Sequence, residues 1–324
     1  INTYVLVVNA VGGLNGGGYD NCLITNNNLL KSKFGIDISG STSYINRNIS
    51  ITNNTIGSPD SNFYIQRYGI GLTQSDNTLI SGNEIMGPAL GKGFDMMFGI
   101  VFYGNTTATK IHNNKIHDWY TFGLGSNGIK CSSENSSAPT EIFNNLIYNI
   151  KTPGMNTGPT NNNAYGIFVR QGSNIKMWHN TISLTGPFLY GIDSYAPSSA
   201  CICTYTAAST NLDIRNNILR NSMTNPAPNP DPILTGRAYA LQLCGTLSDF
   251  SSLDYNDYYI DGYRATIAQR WISGFGPVAE YVTLDSWKGY TGMDSHSLDI
   301  NPVFISDSDP VDLRPTNLGL NCTG

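Results

Sequence analysis

Lys130, Arg170 and Asp193 stand among aromatic side chains in the middle of this chain, at Tyr103, Trp119, Tyr120 and Tyr195. Aromatic faces stack on sugar rings and a few polar groups bond their edges, so the set suits a carbohydrate ligand. Little other chemistry is on offer. Only 13% of the 324 residues are charged and 4 are His, which leaves few groups for an acid–base pair. His112, His117, His179 and His296 have no metal-ligand spacing, and the six Cys include no paired CxxC. Asp307, Asp309 and Asp312 are near enough in sequence to hold Ca²⁺ but read as a solvated acidic loop. No Ser-His-Asp or Cys-His nucleophile can be picked out. The sequence calls for no metal and no cofactor.

Composition narrows the class. The chain holds 38 Asn, 58 Ser plus Thr and 34 Gly, against a charged fraction about half the usual ~25%. A net charge of −5 with 18 Lys plus Arg argues against a nucleic-acid binder. Good helix formers are scarce, which argues against a bundle, and no apolar run is long enough to span a membrane. Twelve Phe, 19 Tyr and 4 Trp supply a core that a disordered chain lacks. Five Asn-x-Ser/Thr triplets, at Asn48, Asn53, Asn105, Asn135 and Asn321, are no more than this composition supplies by chance.

The elements that would position the candidate residues come from a repeat. The phrase aliphatic-x-Asn-Asn-x-aliphatic opens as Ile24-Thr-Asn-Asn-Asn-Leu29 and returns through Ile214-Arg-Asn-Asn-Ile-Leu219, with a degenerate last copy at Leu253–Tyr258. Its first amide drifts to Gly82, His179 and Tyr255. Its second is always Asn: Asn27, Asn54, Asn83, Asn114, Asn145, Asn180, Asn217 and Asn256, spaced by 27, 29, 31, 31, 35, 37 and 39 residues. A second phrase, aromatic-Gly-aliphatic-x-aliphatic, lies between, as in Phe34–Ile38, Tyr68–Leu72, Phe98–Phe102, Tyr165–Val169 and Tyr190–Ser194. Each shows the period-two alternation of a short strand.

A unit of roughly 30 residues with three short strands cannot close a core alone, but eight stacked at ~4.8 Å form a column with inward aliphatic ladders. The repeated Asn marks a turn that needs a left-handed backbone, and stacked copies can bond amide to amide. Propeller blades need longer units and leucine-rich repeats a Leu spacing that is absent. The sequence therefore predicts an all-β parallel β-helix of about eight coils over 1–258 and a C-terminal cap over 259–324. Outward positions of the aromatic-Gly strand are Asp37, Gly71, Val101, Lys130, Phe168, Asp193 and Gln242, with Tyr103, Arg170 and Tyr195 one step further on. Loops such as Met86–Met97, His117–Asn127 and Lys151–Ala164 would flank this strand as a groove, adding Phe63, Tyr64, Trp119 and Tyr120.

The tandem Ile-x-Asn-Asn-x-Ile phrases resemble the right-handed parallel β-helix, pectate-lyase-like superfamily over residues ~20 to 260. Residues 253–304, with Tyr281-Val-Thr-Leu-Asp-Ser-Trp-Lys288, are similar to the closing segment of β-helix repeats in large secreted bacterial surface proteins. The first resemblance implies polysaccharide chemistry. Some β-helix lyases use a Lys and an Arg to take a proton beside a uronate, and Lys130 and Arg170 are the residues here that match. The paired-Asp and His signature of polygalacturonases and the acidic calcium cluster of pectate lyases are missing. The second resemblance implies a secreted or cell-surface adhesin or fibre subunit joined to neighbouring modules; its aromatic face suits a glycan, and the apolar Asn2–Asn9 strand, short of cover, would let copies stack end to end.

The ends read as cut from something longer, since the chain opens at Ile1 without a signal pattern. Asn2–Asn9 reads as an apolar strand with little cover, and Thr283 as the N-cap of a short helix. Cys131 falls at an inward position as a buried thiol. Cys201 or Cys203 with Cys244, one coil away, is the one plausible bridge.

Overall fold

The aromatic-Gly phrases are strands, and the computed structural model pairs them side by side in a ten-stranded sheet from Val7–Asn9 to Gly276–Tyr281. The structure describes residues 7–9, 18–58, 60, 62–88, 96–132, 138–153, 163–187, 198–206, 208–224, 237–272, 276–308 and 310–320. Every pairing in this long sheet is parallel except the last, in which Gly276–Tyr281 turns back on Thr266–Ile272. From the long sheet each of the early coils passes through a short sheet of three strands. It then enters a second sheet of eight strands and a third of eight. The Asn phrase spans the corner between the second and third.

The inward ladders are those the repeat predicts. Ile24, Ile51, Ile80, Ile111, Ile142, Met177, Ile214 and Leu253 stack in the second sheet, all buried. Ile56, Ile85, Ile116, Ile147, Ile182 and Leu219 do so in the third. The glycine of the second phrase has a packing reason. A Cβ on Gly69 would lie 2.3 Å from Ile85 Cγ2 and 2.8 Å from the Gly99 carbonyl oxygen, so in this coil a bare backbone lets the long sheet approach the third.

The two amides of the Asn phrase have separate jobs, which corrects the expectation that the invariant Asn supplies the turn. The left-handed residue is the first of the pair: Asn26, Asn53, Gly82, Asn113, Asn144, His179, Asn216 and Tyr255, with φ between 54° and 67°. That position tolerates Gly because the backbone demands a positive φ. The second Asn forms a continuous ladder. Each Nδ2 donates to the next Asn Oδ1 at 2.9–3.0 Å, from Asn27 to Asn256. From Asn54 onward it also donates to a main-chain carbonyl of the coil before, at 2.9–3.0 Å. The same Oδ1 accepts the preceding Asn backbone N–H.

The parallel stack runs past residue 258, because Thr266–Ile272 pairs in parallel with Ala238–Cys244. The helix expected from Thr283 spans Leu284–Thr291, with the Thr283 hydroxyl accepting the Ser286 N–H. It lays buried Leu284 and Trp287 on the end of the core. Ser297 Oγ accepts the Asn256 N–H at 2.9 Å, so the cap closes the amide ladder. Beyond it, the hairpin of Phe304–Ser306 and Asp312–Pro315 folds back outside the third sheet, placing Phe304 and Leu313 against Tyr148, Leu146 and Ile218.

The expected disulfide is not formed. Cys22, Cys131, Cys201, Cys203 and Cys244 are all free thiols. Cys201 occupies the glycine position opposite Gly166 and faces the core, whereas Cys203 faces outward beside Phe168. Cys131 is the buried thiol its position predicts, and burial pushes it up to about 12.

Candidate ligand-binding face

Two side-chain rows run along the outer side of the long sheet. One passes through Tyr68, Phe98, Asn127, Tyr165, Ala200 and Tyr239, and the other through Asp37, Gly71, Val101, Lys130, Phe168, Cys203 and Gln242. The expected outward positions therefore hold, with one correction. The strand of the coil after Tyr165 is Ser199–Thr204, not Tyr190–Ser194, so Cys203 stands where Asp193 was expected. Asp193 and Tyr195 lie outside the described residues.

The rows gather into two apolar patches. Tyr68, Phe98 and Val101 form one with Phe34, while Tyr165, Phe168, Ala200, Cys203 and Tyr239 form the other. Lys130 lies between them, in register with Val101 on one side and Phe168 on the other. It keeps only 5% of its surface. Its Nζ sits 4.8 Å from the centre of the Phe98 ring and 5.9 Å from that of Phe168, a cation held by two π faces. Burial, with the nearby positive charges of Arg170 and Arg67, lowers the Lys130 ammonium to about 8. Among the described residues no carboxylate pairs with it.

Both arginines arise where the strand register slips. Ser32 pairs with Ile65 but Phe34 with Tyr68, so the second strand carries an extra residue beside Arg67. Cys131 pairs with Val169 but Ser132 with Gln171, which leaves Arg170 unpaired and exposed. Such bulges redirect side chains. Arg67 Nε is buried without a hydrogen-bond partner. Tyr103, 36% exposed, packs edge-on to Tyr68 and Phe98 at 6.1 and 6.5 Å. Burial raises the Tyr68 hydroxyl, reinforced by the Asp37 carboxylate to which it is hydrogen-bonded.

The structure thus brings Tyr103, Lys130 and Arg170 to one place and adds Arg67, Phe98 and Phe168. Trp119 is not part of it. Its ring is fully buried in the core against Gly87 and Gly99, so it offers no face to a ligand. Tyr120 is partly exposed and pairs instead with Phe122, 5.1 Å away, at the corner where Tyr120 bridges to Lys151.

A second charged cluster lies on the third sheet. His117 Nδ1 is 2.7 Å from Asp118 Oδ2 and its Nε2 is 3.4 Å from Glu84 Oε1, while Lys115 Nζ donates to Glu84 at 3.0 Å. The His117 ring stacks on Tyr148 at 4.7 Å. Burial acts to raise the Asp118 carboxyl, yet the His117 hydrogen bond and charge hold it below the carboxylate range. Charge here is compensated within the protein. Among the described residues no group of three His, Cys, Asp or Glu is arranged to hold a metal.

A family profile described as the right handed beta helix region matches residues 8–159. The fold is a right-handed parallel β-helix. Among solved structures, the chain is similar to the crystal structure of the Pseudomonas phage phi297 tailspike gp61, at 13% identity and a TM-score of 0.24. That likeness covers 74% of this chain and 47% of the tailspike, so the chain spans about half its length. No curated protein matches.

Proposed function

We propose that this β-helix is an extracellular surface protein or fibre segment that binds an acidic glycan on the outer face of its long sheet, at Lys130. One observation supports the reading above the others: an ammonium buried between two aromatic rings, near two arginines and, among the described residues, without a carboxylate. Burying an unpaired charge is unfavourable, and an anionic ligand group would supply the missing countercharge. The rings of Phe98, Phe168 and Tyr103 offer the apolar surface that sugars use. Arg170 and Tyr103 remain exposed at the edge of the cluster and give a ligand its approach. No helix among the described residues is long and apolar enough to cross a membrane.

Calorimetric titration with uronate oligosaccharides, beside neutral ones of equal length, tests the proposal. Binding should require the carboxylates and fall at least about tenfold in Lys130→Met. Equal binding by the variant, or none with any acidic glycan, removes the reading. A second reading, a polysaccharide lyase, is favoured by the depressed Lys130 ammonium. Near pH 8 about half of it would be neutral amine, able to take the proton beside a uronate carboxyl while the glycosidic C–O bond breaks. The unsaturated product absorbs near about 235 nm, and an unchanged absorbance leaves binding as the function.

A further inference from the structure

The corner between the short sheet and the second sheet carries a ladder of its own. Asn21, Asn48 and Asn77 all adopt left-handed backbones, at φ 59°, 55° and 52°. Asn48 Nδ2 donates to Asn21 Oδ1 at 3.0 Å, and Asn77 Nδ2 to Asn48 Oδ1 at 2.6 Å. The next coil places Ala108 there, at φ 49°, and the ladder stops. Asn77 Oδ1 therefore faces a coil with no amide to donate to it. Two coils further on the pattern resumes, with Asn211 Nδ2 donating to Asn174 Oδ1 at 3.2 Å.

Beside the last rungs before this break, between Asn48 and Lys110, the surface is hollow. A cavity of about 300 Å³ is lined by Asn48, Ser50, Asn77, Thr78, Leu79 and Lys110, at the small end of the ligand-pocket range of about 300–1,000 Å³. It has room for a single ring. Its chemistry is mixed: the Leu79 side chain and the Lys110 stem are apolar, while Ser50, Asn77 and the Lys110 ammonium are polar. Glu141 lies 3.6 Å from Lys110 Nζ, so the local charge is balanced and an anion gains little. An apolar ligand would strand the amides and hydroxyl. A ring with one C–H face and several hydroxyls fits both parts.

We infer that this corner is a separate binding site for one uncharged sugar ring, seated on Leu79, with Asn77 Oδ1 accepting a hydroxyl and Lys110 Nζ donating to another. It rests on the broken ladder and the cavity, independently of the Lys130 site.

Nuclear magnetic resonance of the ¹⁵N-labelled protein, titrated with methyl glycosides of glucose, galactose, mannose and N-acetylglucosamine, tests it. At least one glycoside should shift the Asn48 and Asn77 side-chain amides saturably. The shift should persist in Lys130→Met, which separates this site from the proposed glycan face. It should vanish in Ala108→Asn, which supplies the absent donor and occupies Asn77 Oδ1. Leu79→Ser, which removes the apolar floor, should weaken binding at least about tenfold. No saturable shift with any glycoside at tens of millimolar overturns the inference. So does an equal shift in a folded Ala108→Asn protein, or a response to N-methylacetamide but to no sugar.

Discussion

At the corner between the second and third sheets all eight coils carry Asn, from Asn27 to Asn256, whereas the outer row of the long sheet reads Asp37, Gly71, Val101, Lys130, Phe168, Cys203, Gln242 from coil to coil. Both regions are buried to a similar degree, so burial does not separate them. Satisfaction does. Each interior Asn of the ladder has both Nδ2 hydrogens and its Oδ1 engaged by the coils on either side. Change in one coil therefore strands groups in two others, and the position is held to a single residue type. The outer row has no such continuous ladder: Lys130 touches the rings of Phe98 and Phe168 while Gln242 bonds Tyr165, Cys203 and Gln269, so its contacts between coils change in kind along the row. The same solenoid thus provides an invariant strut and a variable surface. A ligand site belongs on the variable one.

Deleting a rung gives the largest expected effect. Asn145→Ala removes the acceptor of the Asn114 side chain and backbone N–H, and removes the donor to the Ile111 carbonyl and to Asn180 Oδ1. Buried groups left without partners make the expected loss about 3–5 kcal/mol, read from a urea unfolding curve. Its neighbour should behave differently. Asn144 sits at φ 54°, and Asn144→Gly should change stability by less than about 1 kcal/mol. A rung deletion as mild as the Gly replacement would break the contrast between the two amides.

Lys130→Met should have the opposite sign. The folded protein holds this ammonium at about 8 against an ordinary 10.5, so the charged form is penalised. The penalty is full below pH 8 and fades as pH rises towards 10.5, where both folded and unfolded chains become neutral. Removing the charge should raise stability at pH 7 by roughly 2–3 kcal/mol, and the gain should shrink steadily above pH 8. The same variant should lose acidic-glycan binding. Thermal unfolding across pH 6 to about 10.5 checks the first part. A destabilised variant would mean that the ammonium serves the fold and would erase the distinction between strut and surface.

How far each region was legible in the sequence follows from this distinction. A residue engaged by two other coils leaves a periodic trace, and the Asn phrase with its aliphatic flanks gave the ladder, the corner and the inward Ile stacks. What the trace hid was the division of labour in Asn-Asn, because both residues are amides. Only the drift to Gly82, His179 and Tyr255 at the first position marks the left-handed residue. The outer face was legible only where the phrase kept its register. Lys130 and Phe168 follow from it, but Ala200-Cys-Ile-Cys203 lacks both the aromatic and the glycine, so the phrase points to Tyr190–Ser194 instead. Arg67 depends on a slip of pairing, which has no periodic signature at all. Trp119 followed a loop-like stretch yet lies in the core, since its ring fills the space that Gly87 and Gly99 leave open.

The smallest expected effect joins the two rules at one position. Ala108 interrupts the outer ladder of Asn21, Asn48 and Asn77 without unfolding anything, which shows that a solvent-facing ladder tolerates a gap that the buried one would not. Ala108→Asn should repair it. Asn adopts the left-handed backbone more readily than Ala, and its Nδ2 would reach the free Asn77 Oδ1. Both effects stabilise, by about 0.5–1 kcal/mol together, since an exposed hydrogen bond competes with water. The gain should appear in thermal unfolding as a rise of roughly 1 °C and should not change with pH. No gain would place the reason for Ala108 in the backbone of its own coil. A gain in stability accompanied by loss of sugar-induced shifts at Asn77 would show that a missing rung opens a site.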